Sequence, residues 1–239
     1  GRPILSVLCF TLSFGFKLQA VFLLPAMAVL WLKGKYKLWH FLLFPVFYVL
    51  LVLPAVALGK PFLETLTLYA SQTGSIGDGL NYNSPSVYAF FQYDPSVTDL
   101  AAASRVGIIA AFVFMCAILV VCAIKRRSLT NGVIVAVSVL FAVGIPFLLP
   151  HMHDRYFFAA DVLTVVVAYA YVKYSAAAPL TQFASLLGYH AYLKMRYLLL
   201  MDHGARALIV VLMLGIILFI RLLADHEGSC IADMPVDTE

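Results

Sequence analysis

An all-α, polytopic transmembrane helical bundle of about seven to eight membrane segments is the fold class this sequence predicts. Three observations predict it. Residues of the AVILMFWYC set make up 63% of the 239, and DEKR only 12%, against about 45–50% apolar and about 25% charged in soluble domains. So few charges cannot cover a water-soluble globule of this size. Mean hydropathy is +0.96, and the apolar runs are unbroken, whereas a membrane β-barrel alternates along strands of about ten residues. The same composition excludes a disordered chain, a collagen, a coiled coil and a disulfide scaffold. Three of the four cysteines, Cys9, Cys116 and Cys122, sit within apolar runs and read as small hydrophobes; Cys230 is the fourth.

A helical span needs roughly 20 apolar residues. The run 3–32 is too long for one and is interrupted by Gly15, Lys17 and Gln19. Two short helices, 4–15 and 18–32, turning at Gly15–Lys17 keep Lys17 and Gln19 out of hydrocarbon, where both are costly. After the basic loop 33–37, further spans are expected near 38–58, 105–124, 130–149, 156–172, 178–193 and 206–223. The segment 178–193 is weak, and a polar acidic tail follows over 224–239. The chain begins at Gly1, close to apolar sequence. It reads as a single transmembrane domain, the C-terminal portion of a longer membrane protein.

Lys33, Lys35 and Lys37, with Lys125, Arg126 and Arg127, mark the cytoplasmic face by the positive-inside rule. Alternation then puts three features on the other face: the Lys17 turn, the long loop 59–104 and the loop 151–155. Lys194, Arg196 and Arg206 also fall there, against the rule. Within 59–104, Pro61 can open a helix. Phe62, Leu63, Leu66, Tyr69 and Ala70 then share a face, which suits a helix over 62–73 lying in the membrane interface.

The densest polar cluster is His151, His153, Asp154, Arg155 and Tyr156 at a span terminus. Ionisable groups at a membrane default to a functional reading; a solvated loop with interfacial Tyr and Arg is the plain one. If a helix starts near Asp154, then Asp154, Phe158 and Asp161 share its face. Asp161 either faces a wet cavity or makes a salt bridge to a neighbouring helix. Lys17 and Arg155 suit a phosphate, though Lys17 can also snorkel to headgroups. Gln19 stands beside it. Tyr82 and Asn83 offer a ring and an amide to sugar hydroxyls, or form a plain turn. The six histidines, with no CxxC pair, do not call for a metal, and nothing supports nucleic-acid binding.

Two strings carry a family likeness: PHMHDRYFFAAD over 150–161 and FGFKLQAVFLLP over 14–25. NYNSPSVY over 81–88 and QFAS over 182–185 agree with it. Together they resemble bacterial GPI-mannosyltransferase-like proteins of the GT-C glycosyltransferase superfamily, over most of 1–200. The resemblance implies transfer of a mannose-like sugar, usually with inversion, from a polyprenyl-phosphate donor to an extracytoplasmic glycan or lipid acceptor. It implies no cofactor beyond that lipid-linked donor, and a multi-pass cell-membrane location. It also implies a catalytic carboxylate in an N-terminal loop that these residues lack, so the catalytic base is not assigned. On this reading Lys17, Arg155, His151 and His153 bind the donor phosphate. Gln19, Tyr82, Asn83, Asp154, Tyr156 and Asp161 bind the rest of the substrate. The alternative from another class is a transporter or flippase piece with Asp154, Asp161 and the histidines as its pathway. A membrane-assembly subunit without chemistry is the third. The oligomeric state is not encoded in any feature of the chain.

Overall fold

The computed structural model describes residues 2–69, 79–91 and 99–232, with backbone alone over 226–232. Helix α1 (Pro3–Phe16) opens on a proline, whose missing N–H costs nothing at a helix start. It stops at Lys17, whose backbone is extended. A 3-10 segment (Leu18–Leu23) leads into α2 (Leu24–Leu32). The Tyr36 hydroxyl, just past α2, donates to Ser6 near the start of α1 at 2.7 Å. Residues 3–32 are therefore a helical hairpin turning at Lys17, and Val7, Met27 and Tyr36 pack together near its base.

Helix α3 (Leu38–Ala57) returns alongside α1, with Phe14 edge-on to Phe44 and Tyr48. The His40 Nδ1 accepts from the Lys37 N–H at 2.8 Å, covering one orphan donor at its N-terminus. Helix α4 (Phe62–Leu66) follows. The first of two very short strands, β1 (Asn81–Tyr82), comes next, then a 3-10 turn over Val87–Phe90. Helix α5 (Leu100–Ile124) is capped by Asp99, which accepts from the Ala102 N–H at 2.9 Å. Helix α6 (Asn131–Leu148) is capped by Thr130. Strand β2 (Met152–His153), α7 (Phe158–Ala170), α8 (Ala177–Lys194) and α9 (Met201–Ala232) complete the chain.

Helix α6 is the core of the bundle. It packs against α2, α5, α7 and α9, and an uninterrupted buried stretch runs over 139–147. A helix apolar all round belongs inside. Helices α3 and α5 instead expose Leu42, Leu50, Ile109, Phe112 and Val120, which is tolerable only in hydrocarbon. Among the described residues, four helices are long and apolar enough to cross a membrane: Leu38–Ala57, Leu100–Ile124, Asn131–Leu148 and Met201–Asp225.

Contacts between loops order the two ends of the bundle. At one end the Lys33 Nζ donates to the Asn131 side chain at 3.1 Å, joining the basic 33–37 loop to the start of α6. At the other end the 151–155 loop meets residues 79–82 and Ser104. Successive helices alternate between these ends. Helix α8 packs against α7 and α9, with Gly188 against Asp154 and Tyr192 under Arg155, so its end at Lys194 lies at the same end as the 151–155 loop.

Three expectations change. The helix expected over 62–73 is described only to residue 69 and breaks at Thr67. Thr65 and Thr67 turn their hydroxyls onto the Pro61 and Leu63 carbonyls, the local bonding that competes with a helix. Its expected shared face also divides: Phe62 and Leu63 are exposed, while Tyr69 turns inward and its hydroxyl donates to the Phe14 and Gly15 carbonyls at 3.1 and 3.0 Å. Helix α7 begins at Phe158, because 154–157 form a turn. Asp154, Phe158 and Asp161 therefore do not share a helix face: Phe158 is 65% exposed and Asp161 6%. The last helix does not end at 223 but continues through 232. Ala70 and the rest of the expected helix to residue 73 lie outside the described residues, as do 74–78, 92–98 and 233–239 of the acidic tail.

Candidate functional site

A two-residue parallel ladder organises the site. Asn81 pairs with Met152 and Tyr82 with His153. The His151 N–H donates to the Leu80 carbonyl at 2.8 Å, and the Asp154 N–H to the Tyr82 carbonyl at 3.1 Å. Two distant loops are thus stitched backbone to backbone, which side-chain patterning along one helix cannot reveal. His151 closes the junction. Its backbone is left-handed at φ +60°, a conformation a bulky residue adopts only when its surroundings enforce it. Its Nδ1 bonds the Gly79 carbonyl at 2.8 Å and its Nε2 the Ser104 hydroxyl at 3.0 Å. Both ring nitrogens are thereby committed, and His151 holds the ladder to the start of α5.

Side chains alternate across a strand, and the ladder divides the expected site accordingly. Tyr82 and His153 stack at 4.8 Å with planes 14° apart. His153 then meets Tyr156 at 5.4 Å, and Tyr156 meets Phe22 at 6.2 Å. This row of rings runs from the ladder to the 3-10 segment after Lys17. Asn81 and Asn83 belong to the opposite face. Asn83 is also left-handed, at φ +57°, and its side-chain oxygen accepts from the Tyr197 hydroxyl.

Beyond the row of rings lies a cavity of about 690 Å³. Ser13, Lys17, Gln19, Arg155 and Tyr189 are its polar lining; Phe158 and Val162 are part of an otherwise apolar wall. Those two side chains are also exposed, at 65% and 52%, so the apolar wall opens onto the surface of α7. Lys17 and Arg155 are 138 positions apart in sequence, yet face one space. Lys17 gets there because α1 ends in an extended residue. Arg155 gets there because it sits in the turn before α7, and its guanidinium lies 5.8 Å over the Tyr192 ring. The buried side-chain oxygen of Gln19 has no hydrogen-bond partner among the described residues.

Asp154 is only 3% exposed and stands behind Arg155 rather than in the cavity wall. Burial raises its carboxyl above the usual carboxylate range, while the charges of Arg155, His153 and Lys17 oppose the rise. Burial and the neighbouring Arg155 lower His153 below the ordinary histidine value, with Asp154 opposing. His153 is thus held neutral at pH 7 within its stack.

Asp161 is not in the cavity wall either. Its carboxylate accepts from the Ser185 hydroxyl at 2.8 Å and, more weakly, from Tyr189 at 3.5 Å. The Gln182 side chain reaches its backbone carbonyl at 3.2 Å. Asp161 thus ties α7 to α8 through hydroxyls, and the salt bridge considered from sequence is not what holds it. Tyr189 joins this tie to the cavity. Asp161→Asn keeps an acceptor for Ser185 and should cost under about 1 kcal/mol. Asp161→Leu strands two hydroxyls and should cost about 1–3 kcal/mol. Thermal unfolding in detergent micelles measures the difference.

Several participants were invisible in the sequence. Tyr189, Tyr192, Tyr197 and Ser104 lie in stretches with no local motif, and each acquires its role only by tertiary approach. Gly188 is another. A Cβ there would lie 3.0 Å from the Asn83 carbonyl oxygen and 3.2 Å from the Asp154 Cα, so α8 presses directly on both loops of the ladder.

No family model, curated protein or solved structure matches the chain.

Proposed function

We propose that the protein is the C-terminal part of an integral membrane glycosyltransferase of GT-C type. It transfers a mannose-like sugar from a polyprenyl-phosphate donor to an extracytoplasmic acceptor. The observation that carries this reading is the cavity shared by Lys17 and Arg155, with an apolar wall that opens onto the surface of α7. A phosphate on a long apolar tail needs cations at a membrane boundary and an oily flank, and both are adjacent here. The Gln19 side chain, in the same lining, offers an amide to sugar hydroxyls. As the glycosidic bond breaks, the phosphate leaves with its negative charge, and two fixed cations stabilise it where the charge develops.

The remaining residues act at one remove. His151 fixes the 151–155 turn through Gly79 and Ser104, and Asp154 sits behind Arg155. The row Tyr82, His153, Tyr156 and Phe22 braces the cavity wall. None of these is offered as the catalytic base. In this reading the four long helices cross the membrane together with α1, residues 18–32, α7 and α8, making eight segments. The Lys17 end faces away from the cytoplasm, because Lys33, Lys35, Lys37, Lys125, Arg126 and Arg127 gather at the other.

The deciding experiment incubates the full-length protein in liposomes with radiolabelled polyprenyl-phosphate sugars and a membrane glycan extract. Labelled sugar leaving the donor for a new acceptor supports the reading. No transfer from any donor overturns it and leaves transport as the better account.

A further inference from the structure

On the far side of the ladder from Lys17 and Arg155 is a second cavity, of about 230 Å³. Asn81, Asn83, Tyr88, Phe91 and Tyr197 line it, with Leu200 and Met201 at its edge. Its position follows from strand geometry. Tyr82 and His153 point toward Tyr156 and Phe22, so Asn81 points the other way, and Asn83, just past the strand with its left-handed backbone, lines the same cavity as Asn81. One thin wall of two paired strands therefore has a cavity on each side.

The two cavities differ in chemistry. The first presents two cations. The second has no Asp, Glu, Lys, Arg or His in its described lining. It offers instead side-chain amides, the Tyr197 hydroxyl and aromatic faces, the Tyr88 hydroxyl being turned onto Gly107 of α5. Asn81 is held locally, with one N–H left over: its oxygen accepts from the Ser84 N–H at 3.0 Å and its nitrogen donates to the Ser84 carbonyl at 2.9 Å. That clasp, with the Tyr82–Asp154 backbone bond, sets Asn83 in its left-handed conformation. Asn83 carries two N–H donors on the side-chain nitrogen, while its oxygen is oriented by the Tyr197 hydroxyl. A pre-set amide beside ring faces, without charge, matches a neutral polyhydroxylated ring: hydroxyls on the amide and phenol, C–H faces on the aromatics.

We infer that this cavity is a binding site for a neutral saccharide, a sugar unit of the acceptor glycan remote from its reacting hydroxyl in the transfer proposed above, on which this assignment rests. The donor phosphate and this non-reacting sugar unit then lie on opposite faces of one ladder, with the loops that form it, 79–83 and 151–155, common to both sites.

Saturation-transfer NMR tests this on the full chain in phosphatidylcholine nanodiscs, with methyl α-mannoside as the neutral probe and glucuronate as its anionic counterpart. Methyl mannoside should receive saturation and glucuronate markedly less. Asn83→Gly removes the amide but keeps the left-handed backbone that glycine adopts freely. Tyr197→Phe alters only one hydroxyl on an exposed loop. Each should weaken the mannoside signal at least about threefold, and Lys17→Ala should leave it as it is. Absence of saturation in the unmodified chain overturns the assignment. So does a signal unchanged in both Asn83→Gly and Tyr197→Phe, or one as strong for glucuronate. Binding of fluorescent polyprenyl phosphate in the same nanodiscs reports the first cavity separately. Phosphate binding without saccharide binding sinks this inference alone; saccharide binding without phosphate binding sinks the donor assignment instead.

Discussion

On the proposed reading, Arg155→Ala should lower the transfer rate of the intact protein by roughly tenfold or more, and Lys17→Ala should do the same. The magnitude follows from what each loses: hydrogen bonds from a charged group to a phosphate contribute about 1.5–3 kcal/mol, and each 1.4 kcal/mol is tenfold. The two residues are not equivalent. Arg155 presents a planar fork steadied over Tyr192, so Arg155→Lys should recover only part of the loss. Lys17 is a point charge on a flexible stem, and Lys17→Arg should recover most of it. If both hold one phosphate, their effects are coupled and the double variant departs from the product of the singles. Steady-state transfer of labelled sugar measures all five proteins. Wild-type rates for both alanine variants remove the clamp. A loss that appears in unfolding temperature as well as in rate assigns the two residues to packing, which their exposure argues against.

How much of this arrangement could be read in advance depends on the range over which each signal acts. The hairpin at Lys17 was readable because a Lys and a Gln inside thirty apolar residues have one inexpensive placement, at a membrane boundary. The convergence of Lys17 with Arg155 was readable as permission only: counting spans puts them at one end of a bundle, and packing brings them to one cavity. The bounds of α3, α5 and α6 were within a few residues for the same reason, since hydropathy is a local property. What failed depended on neighbours. Asp154 looked helical because 154, 158 and 161 have helical spacing, yet its N–H is drawn to the Tyr82 carbonyl and 154–157 turn instead. The histidine pair looked like one ligand set, but a strand register separates them: His151 anchors to Gly79 and Ser104 while His153 stacks on Tyr82. Asp161 looked like a site residue because a carboxylate in apolar sequence demands a partner. The partner was Ser185, on a helix whose own polar residues carried no pattern.

The dependence of both cavities on one ladder leads to the sharpest test of the architecture, and it lies at a residue that touches neither ligand. Gly188 is buried on α8, and the atoms a Cβ would meet belong to the Asn83 carbonyl and the Asp154 backbone and Cβ. None of these is the far end of a flexible side chain, so the loops themselves must move. Gly188→Ala asks for a displacement of a few tenths of an ångström. Overpacking of this kind costs about 1–3 kcal/mol, while alanine in a helix interior regains about 1 kcal/mol over glycine. Net stability should therefore change little. Function should not be spared, because the shift falls on Asn83 in one cavity and, through Asp154, on Arg155 in the other. We expect Gly188→Ala to lower transfer by about tenfold, as a misplacement of reacting groups does, with an unfolding temperature near that of the parent. Gly188→Val, with two further methyls, should abolish transfer and weaken both polyprenyl-phosphate and methyl mannoside binding. Loss of one binding activity with the other intact means that the two faces of the ladder move independently. Normal rates in Gly188→Val mean that α8 gives way instead, and the strands do not set the geometry of either site.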